Sequence, residues 1–273
     1  MSKLINLKTS LALLGSIIML ASPATALAAK PSHGGSGGSG GSTGSTSVVT
    51  GNDVSWSQCS KALPKGQLFG IVGVNAGLAN TTNPCFATEL SWANASVGGT
   101  GQNKAALYVN TANPGNTVGD WPTTGTLNQY GVCSGGDNQA CAYQYGWNTA
   151  QLDATNRIDT NNPANFKWWL DVETNNSWEA NTANNVADLE GMTNYFQSVG
   201  AKVGLYSTAT QWQQIAGSSV SSTSSLNGLD SWLPGSSNLS TAKTACSQPG
   251  LTGGETTVTQ YTARRVDYDY SCV

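Results

Sequence analysis

The chain has 273 residues, of which only 10% are Asp, Glu, Lys or Arg, against about 25% in typical globular proteins, and its net charge is −3. So little positive charge argues against a nucleic-acid surface, which must track a phosphate backbone. The single histidine, His33, lies in a Gly/Ser stretch, so Ser-His-Asp or Cys-His catalysis and two-histidine zinc sites have no imidazole to use in the remainder.

Residues 1–28 read as a secretory signal peptide. Lys3 and Lys8 precede an apolar run, Leu11 to Ala21, and Ala26-Leu27-Ala28 offers the small residues of a cleavage site. That run is shorter than the roughly 20 residues a membrane span needs. Removing 1–28 would move the net charge to −5. Residues 29–47, rich in Gly and Ser, read as a flexible linker with nothing to build a core. The remaining stretch, 48–273, is long enough for one barrel-sized domain. Six cysteines behind a secretion signal imply disulfides, and proximity favours Cys59 with Cys85, Cys133 with Cys141, and Cys246 with Cys272. The expected location is extracellular, with cell-wall association compatible, and no membrane contact after signal cleavage.

From residue 48 onward short apolar runs alternate with amphipathic ones. A first strand ends near Asp53-Val54-Ser55, and a second covers Phe69 to Asn75. Pro84 opens a helix whose Phe86, Leu90, Ala93 and Val97 share a face. Ala105 to Asn110 is a third strand. A Gly-, Thr- and Asn-rich excursion from Pro114 to Cys141 follows, of a length that is usually functional or an insertion. Tyr143 to Ile158 reads as a helix, 167–174 as a fourth strand, and Asn184 to Ser198 as a helix striped by Val186, Leu189, Met192 and Phe196. Gly200 ends that helix. Then come a strand from Lys202 to Ser207, a short helix from Thr210 to Ala216, and strands at Asp230–Leu233, Thr256–Tyr261 and Val266–Tyr270.

Strand–helix alternation argues for a parallel sheet, and eight strands argue for an α/β fold of the (β/α)8-barrel type. No helix separates the last two strands, so closure there is expected to be irregular. No dinucleotide fingerprint or phosphate loop occurs, and no cofactor or metal is called for. In such barrels active groups sit at the C-terminal ends of strands. That rule gathers Asp53, Asn75, Asn110, Asp171, Glu173, Tyr206, Trp232, Gln260 and Tyr261 at one mouth, with Asp267 and Asp269 on the last strand.

The centre of this pattern is Lys167-Trp168-Trp169-Leu170-Asp171-Val172-Glu173-Thr174. On a strand Asp171 and Glu173 share a face, and neighbouring carboxylates raise the proton affinity of at least one of them. A carboxyl that keeps its proton near neutral pH can act as a general acid. Without such chemistry, the pair would simply cap a helix or meet a basic residue. Trp168 and Trp169 must face opposite ways, and Trp92, Trp178 and Trp212 read as core. Asp269 reads as a surface or structural residue. Arg264-Arg265 reads as solvated, or as neutralising a nearby acid.

Four motifs in register resemble the lysozyme-type family 25 of glycoside hydrolases and its secreted bacterial relatives: Asp53-Val54-Ser55-Trp56-Ser57-Gln58, Asp171-Val172-Glu173, Val203-Gly204-Leu205-Tyr206-Ser207, and Gln260-Tyr261 followed by Val266-Asp267. The resemblance implies a modified barrel that hydrolyses the β-1,4 bond after N-acetylmuramic acid in peptidoglycan. By position, Glu173 would be the general acid and Asp171 would stabilise the transition state or orient the substrate's acetamido group. Asp53 and Asp267 would complete the acidic cluster, and Tyr108, Tyr206, Trp232 and Tyr261 would offer rings to sugars. The partner expected is peptidoglycan or a related glycan. The chain departs from the family's usual Lys-Ala-(Thr/Ser)-Glu-Gly segment, having Val74-Asn75-Ala76-Gly77, and from its Tyr-His-Phe, having Tyr108-Val109-Asn110. Those departures leave a second reading open, a catalytically inactive barrel that binds cell-wall glycan.

Overall fold

Eight of the chain's strands close into a barrel in the computed structural model, which describes residues 49–114 and 121–273. The expected signal peptide (1–28) and linker (29–47) lie outside the described residues. In chain order the elements are β1 (Thr50–Val54), β2 (Gly70–Gly73), α1 (Phe86–Asn94), β3 (Ala105–Asn110), β4 (Leu127–Asn128), β5 (Gly131–Val132), α2 (Gln139–Asn156) and β6 (Lys167–Asp171). They continue with α3 (Thr182–Ser198), β7 (Lys202–Tyr206), α4 (Ala209–Ile215), β8 (Asp230–Ser236), α5 (Leu239–Ala245), β9 (Thr256–Ala263) and β10 (Val266–Ser271). Around the barrel the order is β1-β10-β9-β8-β7-β6-β3-β2, and β4 pairs with β5 in a separate ribbon. All barrel neighbours are parallel except β10, which runs antiparallel to both β1 and β9. The irregular closure expected at the last strands is this hairpin.

Alternation along the strands feeds two cores. Inside the barrel Phe69, Ile71, Ala106, Trp169, Trp232 and Val258 pack together. Outside it Val72, Leu107, Trp168, Leu170 and Leu205 meet Leu90, Ile158, Leu189, Met192 and Phe196, which come largely from the helices. The adjacent tryptophans therefore part: Trp169 fills the barrel, and Trp168 stacks on Phe196 of α3 with ring centroids 4.3 Å apart. Gly204 on β7 makes room for the inward indole, since a Cβ there would stand 2.4 Å from the Trp169 ring. A second close approach joins α2 to α3. A Cβ on Gly146 would stand 2.0 Å from the Asp188 carbonyl oxygen, and one on Gly191 2.0 Å from that of Tyr143.

In place of charge the helices use neutral caps. Asn138, Asn181, Thr208 and Asn238 each accept a backbone N–H at a helix start, an arrangement worth about 1 kcal/mol apiece. Capped by Asn138, α2 starts at Gln139, four residues before the expected Tyr143. In the other direction α1 stops at Asn94, so Val97 lies beyond the helix and is 65% exposed instead of sharing its buried face. Helix α5 escapes the apolar pattern because Ala242 is its sole buried residue. The part of the excursion around Gln129 and Tyr130 packs on the helices: Gln129 donates to the Glu190 carboxylate of α3 at 2.6 Å, and the Tyr130 hydroxyl bonds the same oxygen. Disulfides join Cys59 to Cys85, Cys133 to Cys141 and Cys246 to Cys272. Among the described residues no helix is long and apolar enough to cross a membrane.

Candidate active site

Parallel strands all end on the same rim, and the inward positions at those ends carry polar side chains. Asp53 on β1, Tyr108 on β3, Asp171 on β6, Tyr206 on β7, Trp232 on β8 and Gln260 on β9 line a cavity of about 310 Å³. Because β10 runs the other way, its start reaches the same rim, and Asp267 joins them. Glu173 lies two residues beyond Asp171 and also lines the cavity. Strand β6 stops at Asp171, so Glu173 is not a strand residue as the Asp-x-Glu pattern suggests. Its place is fixed by what surrounds it. The Val172 N–H donates to the Tyr206 carbonyl at 2.9 Å, Ser207 Oγ donates to the Val172 carbonyl at 2.7 Å, and the Trp178 indole donates to the Glu173 carbonyl at 2.8 Å. Trp178, on a loop, thus acts by pinning the turn that carries Glu173.

Asp171 is buried, and its Oδ2 accepts from Asn110 Nδ2 at 2.7 Å. The Asn110 N–H in turn donates to Asn75 Oδ1 at 2.8 Å, and Asn75 Nδ2 donates to Asp153 Oδ1 of α2 at 3.0 Å. Arg157, one helical turn on, pairs with that same oxygen at 2.6 Å. The asparagines expected to touch substrate are therefore part of the wall: Asn75 has no exposed surface, and Asn110 faces Asp171 from behind the cavity. Tyr261 also differs from expectation. Its neighbours Gln260 and Thr262 line the cavity, whereas Tyr261 takes the other face of β9 and stacks on Tyr268 at 5.2 Å. Trp232 forms a buried floor, 2% exposed, with its ring centroid 4.4 Å from that of Tyr206.

On the opposite wall Tyr206 donates its hydroxyl proton to Gln260 Oε1 at 3.0 Å, and Gln260 Nε2 donates to Asp53 Oδ2 at 2.8 Å. Thr262 Oγ1 donates to Asp267 Oδ1 at 2.5 Å. Asp269, which reads from sequence as surface or structural, is fully buried two residues inward from Asp267, close enough to Asp53 and Asp267 to feel both charges. Period-two alternation on β10 was the available signal, because Asp267 and Asp269 must share a face, as Asp171 and Glu173 were expected to.

Burial governs the electrostatics. It is the largest cause of the upward shift of Asp53, Asp171, Glu173 and Asp269, because the charged form loses its hydration. Asp53 is pushed up to about 7, by burial first and the Asp267 charge second. Asp171 is held well above the usual carboxylate range by burial, then by Glu173 and Asp53. Glu173 is raised by burial, with a Gln211 hydrogen bond opposing it. Asp269 is raised well above its ordinary value by burial and by Asp53 and Asp267. Asp53, Asp171 and Glu173 at the mouth, with Asp269 beneath them, can hold protons at a pH where exposed acids are ionised.

Comparison with known proteins finds lysozyme-like relatives. A family model described as lysozyme-like protein 1 matches residues 141–229, the segment that carries Asp171, Glu173 and Tyr206. A probable family 25 lysozyme of Dictyostelium discoideum is 45% identical over 49 residues, which is 18% of this chain and 22% of that protein. The matched stretch thus spans less than a quarter of that relative's length. Among solved structures, the modular Cpl-1 endolysin complexed with a peptidoglycan analogue superposes with a TM-score of 0.49 at 14% identity, covering 82% of this chain and 54% of that one. Over part of its length, then, the chain is similar to lysozyme-like proteins, a probable lysozyme of glycoside hydrolase family 25 among them.

Proposed function

We propose that this chain is a muramidase-like glycoside hydrolase acting on bacterial cell-wall peptidoglycan outside the cell, exported by residues 1–28 and spaced by the linker 29–47. The observation that carries the reading is the meeting of Asp53, Asp171, Glu173 and Asp267 in one cavity at the barrel mouth. The lysozyme-like match across residues 141–229 supports it, since that segment contains Asp171 and Glu173.

Glu173, with its raised proton affinity, protonates the glycosidic oxygen as the bond to the anomeric carbon breaks. Asp171 stands beside the oxocarbenium-like centre, or orients the acetamido group that assists it. The hydrogen bond from Asn110 keeps it aimed there. Water then adds to the anomeric carbon and returns a proton to Glu173. Asp53 and Asp267 line the same cavity, and Tyr108 and Tyr206 offer ring faces to sugar. The proposed partner is a glycan, with no cofactor in the reaction.

Release of reducing sugar from purified peptidoglycan tests the proposal. Glu173→Gln is expected to lose about 10²- to 10⁴-fold in rate with the fold retained. Equal rates for the two proteins, alongside retained sedimentation with the wall, would leave glycan binding as the function and end the enzyme proposal.

A further inference from the structure

The β9–β10 hairpin turns through Arg264 and Arg265, whose φ values are +53° and +65°. A two-residue hairpin turn of this kind needs positive φ at both central positions, and Asn-Gly or Asp-Gly ordinarily fill it. L side chains other than Asn and Asp avoid that conformation, and strained positions of this sort cluster where a side chain has work beyond folding. Both arginines are exposed.

Arg265 lines a second cavity, of about 260 Å³, with Lys61 and Lys65. The hairpin brings β10 back without a crossover helix, so the outer face of β1 and β10 is walled by the loop around residues 58–65 instead. This groove adjoins the mouth, since Asp53 and Asp267 line both cavities.

Its charge sets it apart from the remainder of the surface. The described residues hold nine Lys and Arg, and two of them, Arg157 and Lys167, are engaged by Asp153 and Asp230. Three of the nine, Lys61, Lys65 and Arg265, line this groove, Arg264 adjoins Arg265 in the turn, and none of the four forms an ion pair among the described residues. In a chain so sparing of charge, unpaired cations beside an acidic mouth call for an anion supplied from outside.

We infer that this groove binds a carboxylate-bearing peptide stem of the glycan whose sugar backbone occupies the mouth. The inference rests on the muramidase reading for the glycan, but it assigns a separate site. The guanidinium of Arg265 presents a planar fork that matches a carboxylate, and Lys61 and Lys65 add mobile point charges. Tyr268, also on the groove wall, offers a ring to the stem's apolar side chains.

The test compares the full chain with Arg265→Asn and with the triple variant Lys61→Gln/Lys65→Gln/Arg265→Asn. Asparagine suits the turn's positive φ, so weaker binding by these variants does not report misfolding. Rates are measured on glycan strands bearing peptide stems and on the same strands stripped of them. The triple variant is expected to raise KM for stem-bearing strands on the order of 10-fold, leaving kcat and the stripped-strand KM unchanged. Binding of a soluble stem peptide, followed by fluorescence anisotropy, should weaken likewise and should vanish when its carboxylates are amidated. An unchanged KM ratio overturns the inference, as does tighter binding of a poly(glycerol phosphate) than of the stem. If no protein in the set cleaves either substrate, the muramidase reading fails, and the stem-peptide binding data alone decide the groove.

Discussion

The barrel has two unlike sides. Along the parallel arc from β2 through β3 and β6 to β7, helices cover the outer face, and Leu107, Trp168, Leu170 and Leu205 have no exposed surface. At β10, which arrives by hairpin, the outward Val266, Tyr268 and Tyr270 remain partly exposed. A strand buried on both faces must be apolar on both, whereas a half-covered one can alternate. The arc supplies rigidity and fixes Asp171. The seam supplies Asp267, Asp269 and the cationic groove.

If the seam is the weaker side, its covalent fastening matters most. Replacing Cys246 and Cys272 by serine is expected to remove about 2–4 kcal/mol of stability, measured by denaturant unfolding under oxidising conditions. The same change at Cys133 and Cys141 should remove less, because that bridge closes 8 residues against 26.

The covered side should break by crowding instead. Gly191→Ala sets a methyl against the Tyr143 carbonyl where α2 crosses α3, and about 1–3 kcal/mol should be lost in the same assay. A neutral result would mean that these helices can slide apart and that the arc is not the rigid half.

The mouth, where both sides meet, should respond to pH. Asp53 shifts from 3.8 in the unfolded chain to about 7 in the fold, so the folded form holds a proton that the unfolded form releases. Its contribution is complete at acidic pH and is lost as pH rises from about 4 to about 7, so Tm should fall over that interval. Asp53→Asn should remove this share of the slope in a calorimetric pH series. The smallest effect belongs to the turn. Arg265→Gly relieves the positive φ and should add about 1 kcal/mol, in contrast to the losses elsewhere.

Much of this arrangement is legible in sequence where local rules suffice. Ala105 to Asn110 alternates between two apolar faces and forms β3 with those bounds. The parting of Trp168 and Trp169 follows from period two alone. The role of Asn75 is not local, because its burial depends on Asp153, which lies 78 residues away on α2. Leu239 to Ala245 carries no apolar stripe, so α5 leaves no periodic signal. The β4–β5 ribbon is two residues per strand, too short for alternation to register. Asp269 was within reach of the i, i+2 rule, but the fall from Asp267 at the rim to Asp269 in the interior depends on β10 running backwards.

The scarcity of imidazole has a consequence for how the chain can be observed. Apart from His33 and the N-terminal amine, no group titrates between about pH 5 and 8 unless the fold has displaced it. Proton exchange in that window, followed by the carbonyl stretch of protonated acids in the infrared, would come from a few buried carboxyls against an almost silent background. Asp53 would be prominent among them, and an oligosaccharide seated in the mouth would be seen through the protons it displaces.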